Sequence, residues 1–559
     1  MKTKTTLTNL VATAVIAVST IAPSFAQTNL GAACGCPPVA SRPSVLLSTL
    51  AVNGGSTDGD LLANTLLGCD KTYILDKKIY VPSGKTLTIQ PGTVIKGRAR
   101  STADSATALI VQRGAQILAS GTPDCQIVFT AEADPLDGSY ALSNKAKWGG
   151  LVMLGKATNN LTLAANGPFT AGGGNGRLCV ADGLGTIEGF ASSNSRDQFG
   201  ANLSLAESFD DNDNSGILKY VSIRHSGAVL TIGGEINGLS LGSVGRGTTI
   251  DHVEIVSCAD DGIEFWGGTV NVKNIAMLYG NDDNFDWDDG WKGKAQFLFV
   301  LQADSSAHAD ADNGFEMDAD DQKSNLLPRS HPVIYNATMI GNRKKILTSD
   351  NSGLAAIEAK ELTEGEIYNS VFANFRYGFN VIKTLGTRTG SSEAYHNWAN
   401  TGGNGSNSLK IVCNSFVNNV KTFAVDKNGT GAVLTSDTAQ FYTTDKNTTV
   451  TSLPGFDYTF AANYTSNVIS HMIDAVPNPA LSTSGCPAAP VDGFFTAAPY
   501  RGAFDSAPGA KNWLSNWTYA SLLGITGGLV PCPTDINGDG VTNNSDFLQL
   551  LGQFNQSCH

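Results

Sequence analysis

Leu87-Thr-Ile-Gln-Pro-Gly-Thr-Val-Ile95 returns 22 residues later as Leu109-Ile-Val-Gln-Arg-Gly-Ala-Gln-Ile117, with Leu87/Leu109, Ile89/Val111, Gln90/Gln112, Gly92/Gly114 and Ile95/Ile117 in step. Self-similarity over so short a unit marks a solenoid. The units are too short and too rich in β-branched residues for helix pairs. Alternating apolar residues that run into a glycine corner read as short strands joined by turns. The expected fold class is all-β: a parallel β-helix, with each turn of chain forming one coil.

A second signature extends the repeat. Val272-Lys-Asn274-Ile-Ala-Met277 resembles Ile334-Tyr-Asn336-Ala-Thr-Met339, Ile367-Tyr-Asn369-Ser-Val-Phe372 and Val412-Cys-Asn414-Ser-Phe-Val417. Leu218-Lys-Tyr-Val-Ser-Ile223 and Ile250-Asp-His-Val-Glu-Ile255 fit it without the asparagine. Equivalent positions of a stacked solenoid lie about 4.8 Å apart. The asparagines therefore form either an inward amide ladder or solvated turns, and both roles are structural. The division expected is a leader over residues 27–60, coils over 61–425, an irregular cap over 426–520 and a terminal module over 521–559. That length of coil gives roughly fifteen turns and a rod on the order of 70 Å.

The 559 residues include 61 glycines, are 41% hydrophobic and carry a net charge of −13. This balance suits a turn-rich folded protein and disfavours nucleic acid or anionic lipid as partner. Lys2 and Lys4, an apolar run over residues 10–21 and Ser24-Phe-Ala26 read as an export signal over residues 1–26. The run is too short to span a bilayer, so the chain is expected to be secreted rather than membrane-spanning. Ten cysteines then meet an oxidising compartment. Of these, Cys532 and Cys558 bracket the terminal module and are the one pair that spacing suggests.

Gln90-Pro-Gly-Thr-Val-Ile-Lys-Gly97, Trp148-Gly-Gly-Leu-Val-Met-Leu-Gly155 and Asp260-Asp-Gly-Ile-Glu-Phe-Trp-Gly-Gly-Thr269 resemble a broad family of secreted bacterial right-handed parallel β-helix proteins. The closing Tyr500-Arg-Gly-Ala-Phe504 with Trp513 and Trp517 fits as well. The resemblance implies a right-handed coil and secretion, and it supplies no catalytic residues.

Asp535-Ile-Asn537-Gly-Asp539-Gly540-Val541-Thr-Asn543-Asn-Ser-Asp546 is the sharpest chemical motif. Ca²⁺ takes six to eight oxygen ligands. Asp535, Asn537 and Asp539 offer side-chain oxygens, Gly540 the sharp turn, Val541 its carbonyl, Asn543 a water-mediated contact and Asp546 the closing carboxylate. Phe547, Leu550, Leu551 and Phe554 follow at helical spacing. With Asp rather than Glu at the closing position, the segment is similar to a dockerin repeat. Dockerins resemble two such units packed together and this chain has one, which puts a cohesin-type partner in question.

Three corners repeat an acidic theme: Asp260-Asp261-Gly262-Ile263-Glu264, Asp282-Asp283-Asn284-Phe285-Asp286 and Asp312-Asn313-Gly314-Phe315-Glu316. Gly262, Asn284 and Gly314 suit left-handed corners. The apolar residue points inward and the acids outward on alternation. Stacked coils would gather Asp261, Glu264, Asp283, Asp286 and Glu316 into one acidic strip, with Asp288, Asp289, Asp310, Asp318, Asp320 and Asp321, and Asp210, Asp211 and Asp213, near it. Three readings stand: a solvated face, a Ca²⁺ strip, or a catalytic pair among Asp261, Glu264, Asp283 and Asp286, since glycoside hydrolysis needs two carboxyls about 5 to 9 Å apart. Trp266, Trp287 and Trp291 either pack or stack on sugars, and the scattered histidines read as structural. Two functions compete. One is a non-enzymatic, calcium-stabilised rod that binds an extracellular polysaccharide or a cell-surface protein. The other is a polysaccharide-degrading hydrolase or lyase.

Overall fold

The computed structural model describes residues 30–522 apart from 53–57, 101–105, 164–177, 188, 191–193, 232–233, 304–310, 320–325, 343–353, 386–387, 390–392, 400–406, 427–428, 452–480, 506, 508–509 and 511. The export signal (1–26) and the terminal calcium loop (535–546) lie outside the described residues.

Inward side chains decide the architecture. Ile79, Leu109, Leu151, Leu239, Ile263, Phe285, Phe315, Ile357, Phe379 and Phe423 pair in register, strand over strand. Each is apolar, and alternation sends all of them to one side of the sheet. Fully burying such a side chain contributes about 1.5–3 kcal/mol, so a ten-rung apolar column fixes register as well as stability. Eleven strands of this twelve-stranded sheet run parallel, while Ala51–Val52 pairs antiparallel with Asp58–Leu61. Eleven rungs at about 4.8 Å make a stack of about 50 Å, against the fifteen coils expected. The shortfall comes from excursions: the third-face strands Leu151–Leu154 and Leu239–Gly242 are adjacent rungs, yet 84 residues separate them.

The other two faces share continuous strands. Gly216–Arg224, Thr249–Val256, Asn271–Leu278, Lys294–Leu301 and Val333–Ile340 each bend midway. The bend residue has positive φ at every level: Tyr220 (49°), His252 (56°), Asn274 (55°), Phe297 (58°), Asn336 (60°), Asn369 (49°) and Cys413 (60°). Residues before the bend form the first face and those after it the second; the twelve-stranded sheet is the third.

This column corrects the asparagine reading. Asn274, Asn336 and Asn369 do not form an inward stack. They occupy the left-handed bend, which asparagine tolerates better than most residues. Asn414 falls one residue past the bend, because Ile367 pairs with Ile411. There it does join a ladder: its Oδ1 accepts from Ser370 N at 2.9 Å, and its own N–H reaches Asn447 Oδ1 at 2.9 Å.

The opening repeat also sits differently from its sequence alignment. Leu109 stacks on Ile79, and Ile117 stacks on Leu87. The true rung partner of 109–117 is therefore Ile79-Tyr-Val-Pro-Ser-Gly-Lys-Thr-Leu87, and 87–95 is the same strand–turn–strand shape on the next corner.

Both ends of the described chain are tied to the stack. Cys34–Cys125 and Cys36–Cys69 staple the leader to the first coils. At the far end Phe441 packs on Phe379, Phe416 and Phe423, so residues 434–450 close the cross-section. Residues 481–522 do not cap that end. They run along the side as a strap, anchored by Cys413–Cys486. Asn369 donates to Pro487 O at 3.0 Å, Lys273 to Phe494 O at 2.8 Å, Asn336 to Tyr500 O at 2.9 Å and Gln126 to Trp517 O at 3.3 Å. Phe504, Leu514 and Tyr519 cover an apolar outer surface made by Val256, Leu278, Leu301 and Ile340.

Candidate functional site

The acidic corners come together on the third face, in two distinct settings. The first is a corner ladder. Asn237 Oδ1 accepts from Asp261 N at 3.2 Å, and Asp261 Oδ1 accepts from Asp283 N at 2.9 Å. Asp283 Oδ1 accepts from Asn313 N, and Asn313 Oδ1 accepts from Ala355 N at 2.9 Å. Each side chain thus satisfies the backbone donor of the next coil. Asp261 and Asp283 are parts of the scaffold before they are candidates for chemistry. The motif legible in hindsight is Asn237-Gly-Leu, Asp261-Gly-Ile, Asp283-Asn-Phe, Asn313-Gly-Phe, which adds Asn237 to the corners noticed in the sequence.

The middle residue of that motif is not left-handed: Gly262, Asn284 and Gly314 are missing from the positive-φ residues. Close approach explains the glycines instead. A Cβ on Gly262 would lie 2.3 Å from Met277 Sδ, and one on Gly314 2.6 Å from the Ala356 carbonyl oxygen.

The second setting is an outward column one pleat further on. Ser240, Glu264, Asp286, Glu316, Glu358 and Asn380 pair rung on rung. Beside it stand Trp266 and Asp288. Oxygens of Asp261, Glu264 and Asp286 lie within 4.8 Å of one another, as do those of Asp286, Asp288 and Asp318 and those of Asp260, Asp261 and Asp282. The strip expected from the sequence exists, but it is not a solvated face. Asp261, Glu264, Asp283 and Asp286 are 8, 6, 4 and 6% exposed, and Asp288 and Asp318 only 1 and 2%.

Part of the cover is the excursion between the third-face strands. Trp266 packs with Leu154, Leu161, Cys179 and Phe199. Asn160 N–H reaches Asp289 O at 3.0 Å, and its side-chain amide reaches Ala319 O at 2.7 Å. Asp210, Asp211 and Asp213 belong to the returning turn of this excursion, not to the strip: Asp211 accepts from Thr158 N at 3.0 Å.

Burial with like charges has a direct electrostatic consequence. Burial holds Asp261 well above the usual carboxylate range, and Asp260, Asp286, Glu264 and Asp283 push the same way. Burial likewise raises Asp283, reinforced by Glu316, Asp282 and Asp312. Asp318 is raised by burial, with Lys360 opposing and Glu316 and Glu361 adding to the rise. Among the described residues, the ion pairs to these acids come from Lys360, 2.9 Å from Glu316 and 3.3 Å from Asp318. Burial works against the Lys360 ammonium, but Asp318 and Glu316 outweigh it and hold the group well above its ordinary pKa. Asn237 donates to Glu264 Oε2 at 2.6 Å.

The tryptophans pack. Trp287 and Trp291 lie inside the main core, and Trp266 is buried under the excursion. His225 is fully buried with Nδ1 2.6 Å from Asn144 O, and burial lowers its pKa to about 4. Among the described residues no helix is long and apolar enough to cross a membrane.

Comparison with known proteins agrees with this architecture. Curated proteins and solved structures gave no match. Residues 59–463 match the family described as pectate-lyase like beta helix domain. The match covers most of the chain and spans the stacked coils, the acidic strip and the bend column, so the chain belongs to the pectate-lyase-like β-helix family.

Proposed function

We propose that the protein is a secreted, non-catalytic β-helix rod, stabilised by calcium, that presents its long faces to an extracellular polysaccharide or a cell-surface protein. The carrying observation is burial of the best catalytic candidates: Asp261, Glu264, Asp283 and Asp286 are all under 9% exposed, and Asp261 and Asp283 spend an oxygen on the corner ladder. A polysaccharide chain needs an open groove along which both carboxyls reach one glycosidic bond. Secretion is supported by the amino-terminal signal pattern and by three disulfides among the described residues, which belong to an oxidising compartment. Calcium enters this reading through Asp535, Asn537, Asp539, Val541, Asn543 and Asp546, whose spacing matches the oxygen set of a calcium loop. A cohesin-type partner for that single repeat is the narrower form of the same proposal.

The second reading, a polysaccharide-degrading hydrolase or lyase, is favoured by the family description and by Lys360 beside Glu316 and Asp318. A glycan panel with and without Ca²⁺ separates the two. Binding without shortening of the glycan, retained in the double variant Asp261→Asn, Glu264→Gln, is the expected result. Depolymerisation by the wild type that this double variant loses would replace the rod with the enzyme.

A further inference from the structure

We propose that the third face holds two Ca²⁺ ions on adjacent rungs: one among Ser240, Asp261, Glu264 and Asp286, the other among Asp286, Asp288 and Asp318, with Asp286 bridging them. This inference depends neither on the carboxy-terminal loop nor on the ligand that the rod binds.

The geometry begins with alternation. Leu239, Leu241, Ile263, Phe265, Phe285 and Trp287 all point into the main core. The residues between them, Ser240, Glu264 and Asp286, therefore point outward together, one rung apart. The three carboxylates of each group bring oxygens within 4.8 Å of one another. An ion about 2.4 Å from each of two oxygens spans such a separation, which is the ordinary Ca²⁺–oxygen distance. Neither group contains histidine or cysteine, so the donor set is the all-oxygen one that hard cations take.

Two further atoms point to a ligand rather than to a mere crowd of acids. Ser240 Oγ is fully buried in the strip's own column and makes no hydrogen bond among the described residues. A buried hydroxyl beside carboxylates ordinarily donates to one of them. An orphaned one, turned outward in register with Glu264, is available to the strip as a further oxygen ligand. At the other end Asp318, 2% exposed, gives Oδ2 to Lys360 while its Oδ1 has no hydrogen-bond donor among the described residues. That Oδ1 belongs to the carboxylate grouped with Asp286 and Asp288. Lys360 then closes the strip on the side where the metal groups end, neutralising Glu316 and Asp318 from the next rung.

The test is a metal count on the full chain carrying Asp535→Ala and Asp539→Ala, so that the terminal loop contributes nothing. The chain is equilibrated with Ca²⁺, desalted and analysed by plasma mass spectrometry. Two ions per chain are expected, falling to none with Asp286→Asn and to one with either Glu264→Gln or Asp318→Asn. Glu358→Gln, two rungs from Asp286 in the same column, should keep both. Tb³⁺ gives a readout tied to place: Trp266 stands in register beside Asp288, so tryptophan-sensitised Tb³⁺ emission should appear in the parent and vanish in Asp286→Asn. If Asp286→Asn does not fold, the two single-site variants carry the test. A parent that retains fewer than two ions, or a count unchanged by Asp286→Asn or by both single-site variants, overturns the proposal. A loss of calcium confined to Asp535→Ala and Asp539→Ala would leave the terminal loop standing and remove the third-face sites.

Discussion

The second and third faces of the solenoid use the same parallel ladder and carry opposite outward columns. On the second face Val256, Leu278, Leu301, Ile340, Ala373 and Val417 follow one another. On the third face the equivalent run is Ser240, Glu264, Asp286, Glu316, Glu358 and Asn380. Much of both columns is buried. The apolar one is covered by the chain's own strap, and burial itself stabilises the contact. The acidic one gains nothing from losing water and needs opposite charge brought to it. An outward column thus reports what must lie on top of it: apolar residues a strap, buried acids a cation.

The largest effect should come from a place where the second face behaves like the third. Glu254 is fully buried and accepts from Tyr519 N at 2.8 Å, Ala520 N at 3.1 Å and Ser222 Oγ at 2.8 Å. Arg224, stacked 4.2 Å over the Tyr519 ring, supplies the positive charge. Glu254→Ala removes the anion and strands two strap amides, at a cost of about 3–5 kcal/mol. Denaturant unfolding and proteolysis of the strap should register it; an intact strap at wild-type stability would show that its apolar contacts suffice.

Removing Cys413–Cys486 as a double alanine variant should cost roughly 2–4 kcal/mol. The loss should be equal in Ca²⁺ and in EDTA, because this bond serves the strap and not the acidic face. A calcium-dependent loss would mean the two faces are coupled.

Gly262→Ala probes the corner between the faces. Its new Cβ would meet Met277 Sδ at 2.3 Å and the Asn284 carbonyl oxygen at 2.7 Å. Overpacking of this kind costs about 1–3 kcal/mol. Should the variant match wild type in thermal unfolding, the corner is looser than the ladder implies.

The smallest effect concerns pH. The Glu364 carboxylate, hydrogen-bonded at 3.0 Å, and the Glu366 carboxylate 3.6 Å away raise His331 from 6.5 to about 9. A folded-state pKa above the unfolded one means stability that is fully present below about pH 6.5 and lost as pH rises through about 9. His331→Gln should flatten the stability profile across that window. A wild-type profile already flat there would remove His331 from the account.

Much of this was legible in the sequence, and the misses have physical causes. Stacked strands could be read because inward apolar residues such as Ile263, Phe285 and Phe315 recur at a fixed offset from an acidic corner. Sequence similarity does not single out the rung partner of 109–117, because a strand–turn–strand corner looks alike on every edge of the coil, so 87–95 and 79–87 fit the same pattern. Asn274 and Asn336 were legible as special and not as left-handed, since Tyr220, His252 and Phe297 hold the same bend without looking like turn residues. The acidic strip could be assembled from Asp261, Glu264, Asp283 and Asp286. Its burial could not, because the cover is an excursion far from the strip in sequence: Asn160 lies 159 residues from its partner Ala319.

Anomalous diffraction from crystals grown in Ca²⁺ and exchanged with Tb³⁺ tests the comparison most directly. The account predicts two strong peaks on the third face, one between Ser240, Asp261, Glu264 and Asp286 and one between Asp286, Asp288 and Asp318, with none under the strap. A map without peaks at those carboxylates, from crystals whose other Tb³⁺ positions are occupied, would contradict it.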